Sequence, residues 1–240
     1  MSQLLTRNGK MKKSSEYIYN FGIPAYISKT GLKTCPNAGA CATGCYARSG
    51  AYLFSNVAKV FEWRLEQTHR ADFEHCIQLE IDKKKVKFLR IHDSGDFFHL
   101  DYLKKWMRIA DNNPGTHFYA YTKQVEMLKR AMVNYAWPKN FTIIFSFGGL
   151  QDALIDITRD RHSLVFPSLY AAKKAGYVNA AVNDAVAFQS KNHRIGLVFH
   201  HAKNIENTNW NLTLKSVNKR REAINKKPLQ LTMGVTINET

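Results

Sequence analysis

Residues 86–121 read VKFLRIHDSGDFFHLDYLKKWMRIADNNPGTHFYAY, and this stretch decides the fold. Val86–Ile91 is a short, mostly apolar run, which predicts a strand. It ends in the polar turn His92-Asp93-Ser94-Gly95-Asp96. Beyond it Leu100, Leu103, Met107 and Ala110 recur at helical spacing and predict a helix over Leu100–Ala110. A second strand, His117–Tyr121, follows. Strand, helix and strand in this order make a βαβ unit, which is right-handed and joins parallel neighbours.

The same rhythm continues outward. Val125–Tyr135 predicts a helix, and Phe141–Phe147 a buried strand ending in Gly148-Gly149. Shorter strands are expected at Ser163–Phe166, Tyr177–Val182 and Ile195–Phe199, with a last one at Leu229–Ile237. Towards the N-terminus, Val57, Val60, Phe61 and Leu65 share one helix face, and Ile23–Ser28 is read as the first strand. The expected architecture for these 240 residues is a single α/β domain, a parallel-stranded partial or complete (β/α) barrel. Within it 1–30 is a lead-in, 31–50 a cysteine metal loop and 200–228 a basic C-terminal segment. In such folds chemistry gathers at the carboxyl ends of the strands, where each polar motif below is expected.

Lys and Arg number 35 against 19 Asp and Glu, a net charge of +16. That excess suits a polyanionic partner, and nucleic acid, DNA or RNA, is the one expected. No run approaches the roughly 20 apolar residues that span a bilayer, so no membrane partner is expected. The basic opening MSQLLTRNGKMKKSSEY lacks an apolar run of signal-peptide length, which places the chain in the cytoplasm.

Three of the four cysteines fall in Cys35-Pro-Asn-Ala-Gly-Ala-Cys41-Ala-Thr-Gly-Cys45-Tyr46. Clustering of this kind in a reducing compartment points to a metal rather than disulfides. Small residues between the thiols let the backbone curl so that the sulfurs converge. Zinc, with its preference for four ligands or three and a water, suits the set, and so does a four-iron cluster with one open iron. Cys76 lies on an expected helix and reaches the loop only through the fold.

In the turn after the first of these strands, His92, Asp93 and Asp96 suit general-base work or binding of a ribose hydroxyl. Capping of the next helix by Asp96 or Asp101 is the alternative role. Tyr119-Ala-Tyr-Thr122-Lys123 ends the next strand, where Lys123 suits a carboxylate or phosphate. Ser146-Phe-Gly148-Gly149 leaves room for a ligand to approach the backbone. Asn183-Asp184 and His200-His201 close later strands. In the basic C-terminal segment Trp210, Lys215, Lys219, Arg220 and Arg221 combine cations with a stacking ring, as a nucleic-acid surface does.

The blocks CPNAGACATGCYARSGAY, RIHDSGDFFHLDYLKKW and FYAYTK, in that order, resemble the phage family known as gene product 88. This resemblance implies phage origin and spans roughly residues 20–150. A more distant similarity is to radical S-adenosylmethionine enzymes, which are partial (β/α) barrels. It implies that Cys35, Cys41 and Cys45 bind a 4Fe-4S cluster beside Tyr46. It also implies that Ser94, Gly95 and Asp96 hold the amino group of S-adenosylmethionine, with Thr122 one strand on. The spacing here is C-x5-C-x3-C, wider than the C-x3-C-x2-C of those enzymes. Asp93-Ser94-Gly95 with Phe97 is similar to the Asp-Ser-Gly-Gly-Phe turn of the zinc-containing tRNA-guanine transglycosylases, whose phage relatives insert 7-deazaguanines into DNA. The function expected is a metalloenzyme that modifies nucleic acid or nucleotides, with base exchange as the alternative. A nucleic-acid-binding protein that catalyses nothing, its metal structural, is the third reading.

Overall fold

A computed structural model describes residues 3–13, 16–198 and 210–224. Seven strands form one sheet: β1 (Ile18–Phe21), β2 (Phe88–Ile91), β3 (His117–Thr122), β4 (Phe141–Ser146), β5 (His162–Phe166), β6 (Val178–Asn179) and β7 (Arg194–Val198). Their order is β1-β2-β3-β4-β5-β7-β6 and every pair is parallel. The sheet curls into a half-barrel, so the chain is a single-domain α/β fold.

Successive strand residues point to opposite faces. On the outer face Phe21, Leu89, Ile91, Phe118, Ala120, Ile143, Phe145, Leu164 and Phe166 join the main core. Helices α2 (Ser55–His69), α3 (Phe73–Lys84), α4 (Leu100–Asp111) and α5 (Val125–Asn134) complete it with Leu65, Ile77, Leu103, Trp106 and Leu128. On the inner face Ile18, Tyr119, Ile144 and Ile195 belong to a smaller cluster with Met11 of α1 (Gly9–Lys13). The remaining helices are α6 (Leu169–Lys174), α7 (Val186–Gln189) and α8 (Trp210–Glu222). Helix α4 shows the link from pattern to packing. Tyr102, Leu103, Trp106, Met107, Ile109 and Ala110 are all buried on one stripe. His99, rather than Asp96 or Asp101, caps it: its Nδ1 accepts the Asp101 N–H at 3.2 Å.

Two strand expectations need correction. Ile23–Ser28 is not a strand; β1 lies earlier, paired Ile18↔Phe88 with β2. Pro24 has no N–H for a ladder and Tyr26 sits at φ 68°, so this segment turns, while Ile23 is buried beneath Gly95. The strand read over Tyr177–Val182 shrinks to Val178–Asn179 at the sheet edge, where only β7 pairs with it. Leu229–Ile237 and His200-His201 lie outside the described residues, as does all of the basic segment beyond 210–224. No helix among the described residues is long and apolar enough to cross a membrane.

Candidate functional site

A cavity of about 750 Å³ opens on the concave face at the carboxyl ends of the strands. Arg90, Tyr121, Ser146, Val165 and Leu197 form its floor, the cysteine loop and the start of α2 one side, and residues 93–96 with Asn8 and Asn20 another. This volume lies in the range of small-molecule and cofactor sites.

The cysteine loop is tied to the turn after β4. The N–H groups of Gly39 and Cys41 both donate to the Gly148 carbonyl, at 3.1 and 3.0 Å, and Leu150 N–H donates to Asn37 O at 2.9 Å. A Cβ on Gly39 would lie 2.9 Å from the Gly149 carbonyl carbon, and one on Gly149 would lie 3.0 Å from Asn37 O. At Gly148-Gly149 it is the cysteine loop that makes a close backbone approach.

Cys35, Cys41 and Cys45 all line the cavity, and all are free thiols. Tyr26 N–H donates to Cys35 Sγ at 3.3 Å, and the backbone at Gly39 and at Ala47 favours the Cys41 and Cys45 thiolates. Burial pushes the Cys35 thiol up to about 12, helped by the nearby Asp96 carboxylate. Burial also raises Cys41 and Cys45, against the pull of Lys123. The three sulfurs feel one another's charge. Among the described residues no three His, Cys, Asp or Glu side chains are placed to hold one metal ion. A cluster in which each cysteine bonds a different iron would not need the sulfurs to meet at one point. Cys76 packs against the main core from α3 and is not in the cavity wall.

The turn after β2 is built differently. His92 at φ 66° turns its ring into the aromatic core, 4.7 Å from Phe97, with Nε2 2.8 Å from Tyr102 OH. Burial, with the Arg90 cation beside it, lowers its pKa to about 3, so it is neutral and held by the core. His92 lines the cavity, but its ring contacts are to the core. Asp96 is buried and accepts three hydrogen bonds: Phe97 N–H at 2.7 Å, Thr122 Oγ1–H at 2.6 Å and Lys123 N–H at 2.8 Å. It bridges the ends of β2 and β3, and Thr122 Oγ1 also accepts Gln124 N–H at 3.0 Å. Three of about four acceptor positions are filled, so Asp96 and Thr122 are primarily structural.

Asp93 is the less satisfied carboxyl. Its Oδ2 has long contacts with Asn8 Nδ2 at 3.4 Å and Tyr52 OH at 3.5 Å, the Asn20 side chain lies close enough to favour the carboxylate, and Oδ1 is buried with no partner among the described residues. Burial raises its pKa against the opposing pull of Arg90 and Arg64. Gly22 is required beside it, since a Cβ there would lie 2.0 Å from Oδ1. Ser94 and Gly95 line the cavity, and Gly95 takes φ 85° because Ile23 would lie 2.2 Å from a Cβ. Lys123 Nζ donates to Ser146 Oγ at 2.9 Å, and both face the cavity.

Sequence reasoning missed Arg90 and undervalued Asp184. Arg90 Nη1 pairs with the buried Asp184 Oδ2 at 3.1 Å, and Tyr119 OH donates to the same oxygen at 2.5 Å. Arg90 Nη2 donates to Tyr46 OH at 3.3 Å, and Tyr46 OH donates to Asp93 O. Tyr46 has a half-exposed ring but a buried hydroxyl, which burial raises to about 12. The available signal was a charged residue at an inward position of an otherwise apolar strand.

The C-terminal cations divide. Lys215 and Lys219 are exposed on α8. Arg220 donates to Asp152 O at 2.8 Å and to Ile155 O, and Arg221 is buried. These two arginines dock α8 on the body, so they do not form the outward surface expected of them. Trp210 is the first residue of α8, and its side chain lies outside the described residues.

The Gene 88 protein of Mycobacterium phage L5 is 33% identical over 102 residues, covering 38% of this chain and 43% of that protein. The Gene 88 protein of Mycobacterium phage D29 is likewise 33% identical over 102 residues, covering 38% and 42%. The matched region thus spans less than half the length of these curated relatives. No solved structure matches. A profile of the family described as Gene product 88 matches residues 3–226, which takes in all seven strands, the cysteine loop and α8, and the chain belongs to that phage family.

Proposed function

We propose that Cys35, Cys41 and Cys45 hold a 4Fe-4S cluster in this cavity, that a small cofactor of the S-adenosylmethionine kind binds beside it, and that the protein modifies nucleic acid or nucleotides. One observation carries the reading: three free thiols, with backbone groups beside them that favour thiolate, face a single cavity at the carboxyl ends of a parallel half-barrel. Backbone donors to sulfur stabilise thiolate and tune a cluster. A cluster held there would supply electron-transfer chemistry to a cofactor in the cavity. Lys123, which electrostatically favours the Cys41 and Cys45 thiolates, offsets the negative charge of the loaded site. Ser94, with the backbone of Gly95, offers polar groups to a cofactor, while Asp96 keeps one acceptor position at most. The charge of +16 supports a polyanionic substrate.

The single-zinc reading has less support, because one ion at a Zn–S distance of about 2.3 Å needs sulfurs that converge. For base exchange with Asp93 or Asp96 as base or nucleophile, Asp96 is tied by three donors, so that reading would rest on Asp93, whose Oδ1 has no partner among the described residues.

Anaerobic reconstitution with ferrous iron and sulfide tests the proposal. The expected result is about four irons per chain and absorbance near about 400 nm, both lost in Cys35→Ala, Cys41→Ala and Cys45→Ala but kept in Cys76→Ala. The loaded, reduced protein should then release methionine from S-adenosylmethionine. Because the thiols begin protonated, loading displaces protons and strengthens as the pH rises. Uptake of one zinc and no iron, or iron uptake indifferent to the three cysteines, overturns the reading.

A further inference from the structure

The cavity floor contains a group that the cluster reading leaves unused. Tyr121 OH is buried and has no hydrogen-bond partner among the described residues, yet the residue lines the cavity. Its ring lies under the Arg90 guanidinium, 4.9 Å from Cζ to the ring centre. Arg90 is held from three sides: Nε donates to His92 O at 3.3 Å, Nη1 to Asp184 and Nη2 to Tyr46 OH. A guanidinium has five N–H groups, so these bonds leave two. Arg90 also lines the cavity, and Ala181, Val165 and Leu197 supply apolar wall nearby. A buried hydroxyl without a partner destabilises a fold, and phenylalanine would serve the packing better. Here the tyrosine lies next to a fixed guanidinium with two N–H groups to spare.

We propose that Arg90 and Tyr121 form a subsite for one oxyanion group, carboxylate or phosphate, of a small molecule bound in the cavity. The two spare guanidinium N–H groups and the tyrosine hydroxyl all donate, and a carboxylate or phosphate accepts several such bonds at once. Asp184 and Tyr46 are positioning residues: they fix the guanidinium plane before the ligand arrives. Tyr46 follows Cys45 directly, so the anion subsite and the cysteine loop share one strut. The inference deepens the function proposed above, resting on its cavity but not on its metal.

Calorimetric titration of the full-length, metal-free protein tests it, using the four nucleoside 5′-monophosphates, the matching nucleosides, methionine and S-adenosylmethionine. Tyr121→Phe removes only the hydroxyl and should melt no lower than the wild type. A bond from a neutral donor to a charged acceptor corresponds to about a tenfold change in affinity. If Tyr121→Phe weakens the monophosphates about tenfold and leaves the nucleosides unchanged, the group is a phosphate. If methionine and S-adenosylmethionine weaken instead, it is a carboxylate. Arg90→Lys, which keeps a cation beside Asp184 but loses the planar fork, should weaken the same ligands. The inference is overturned if no anion binds the wild type at millimolar concentration, if the affinities do not change, or if Tyr121→Phe melts lower. Iron uptake by Tyr121→Phe is read separately: retention there with lost anion binding supports the subsite, and failure of iron loading in all forms leaves the metal-free result standing.

Discussion

The turn after β2 and the cysteine loop face the same cavity but are built on opposite principles. In the turn Asp96 and His92 are held by other side chains or the backbone, while Asp93 keeps a buried oxygen without a partner among the described residues. Asp96 closes three hydrogen bonds between two strand ends, and His92 is locked against Tyr102 in the aromatic core. In the loop the thiols are free, and the chain is fixed by main-chain bonds to Gly148 and Leu150. A cluster of polar residues beside a cavity can thus be scaffold on one side and ligand-ready on the other. Saturation of the hydrogen bonds tells them apart, whereas residue type does not.

That contrast can be broken by substitution. Asp96→Ala strands two backbone donors and a hydroxyl in a buried place, and should cost about 3–5 kcal/mol in urea unfolding. A loss below about 1 kcal/mol would mean the carboxylate is free for chemistry after all.

His92 gives the next largest effect, through pH. In the unfolded chain its imidazole protonates near 6.5, whereas in the fold it stays neutral down to about 3. Between those values the unfolded state binds the extra proton. The stability from His92 is therefore complete above pH 6.5 and is lost as the pH falls towards 3. The slope is roughly 1.4 kcal/mol per pH unit. Asn tolerates the positive φ, so His92→Asn should remove this component from the pH dependence of unfolding. Parallel curves for the two proteins between pH 6 and 4 would count against a buried neutral imidazole.

Gly39→Ala probes the loop side. The new Cβ meets the Gly149 carbonyl carbon at 2.9 Å and Gly148 O at 3.0 Å, so the loop must shift. Global stability should change by less than about 1 kcal/mol, while iron affinity falls roughly tenfold or more. Equal damage to both would make the loop part of the folding core. The smallest effect on stability is expected at α8. Lys215→Glu with Lys219→Glu should leave melting unchanged and flatten the salt dependence of nucleic-acid binding by roughly one unit for each phosphate no longer neutralised. Arg220→Ala, by contrast, should loosen α8 from Asp152 and Ile155 and lower the melting temperature.

Much of the sheet was legible because strand and helix periods are local properties. The strands at 86–91, 117–121 and 141–147 and the helix at 100–110 agree with β2, β3, β4 and α4 to within two residues. Ile23–Ser28 misled because an apolar stretch reads alike whether it pairs or turns, and Pro24 and Tyr26 make it turn. At the site, Asp93 and Asp96 look equivalent in sequence. They differ because Thr122 and Lys123 of the next strand reach one carboxylate and not the other. Arg220 and Arg221 likewise look like surface cations, and only the docking of α8 turns them inward.

By itself the sequence determined the alternation of strands and helices, the basic charge, the clustering of three thiols and the polar turn at the end of β2. Each is set by composition or by a period of a few residues. The tertiary structure alone decided which thiols share a cavity, which carboxylate is saturated, and that Arg90, Tyr121 and Asp184 meet on the concave floor. Those partners lie 31 to 94 residues apart along the chain, Arg90 with Asp184 being the most distant. Curling of the sheet brings them together, and the hydrogen bonds available after it closes set their chemistry.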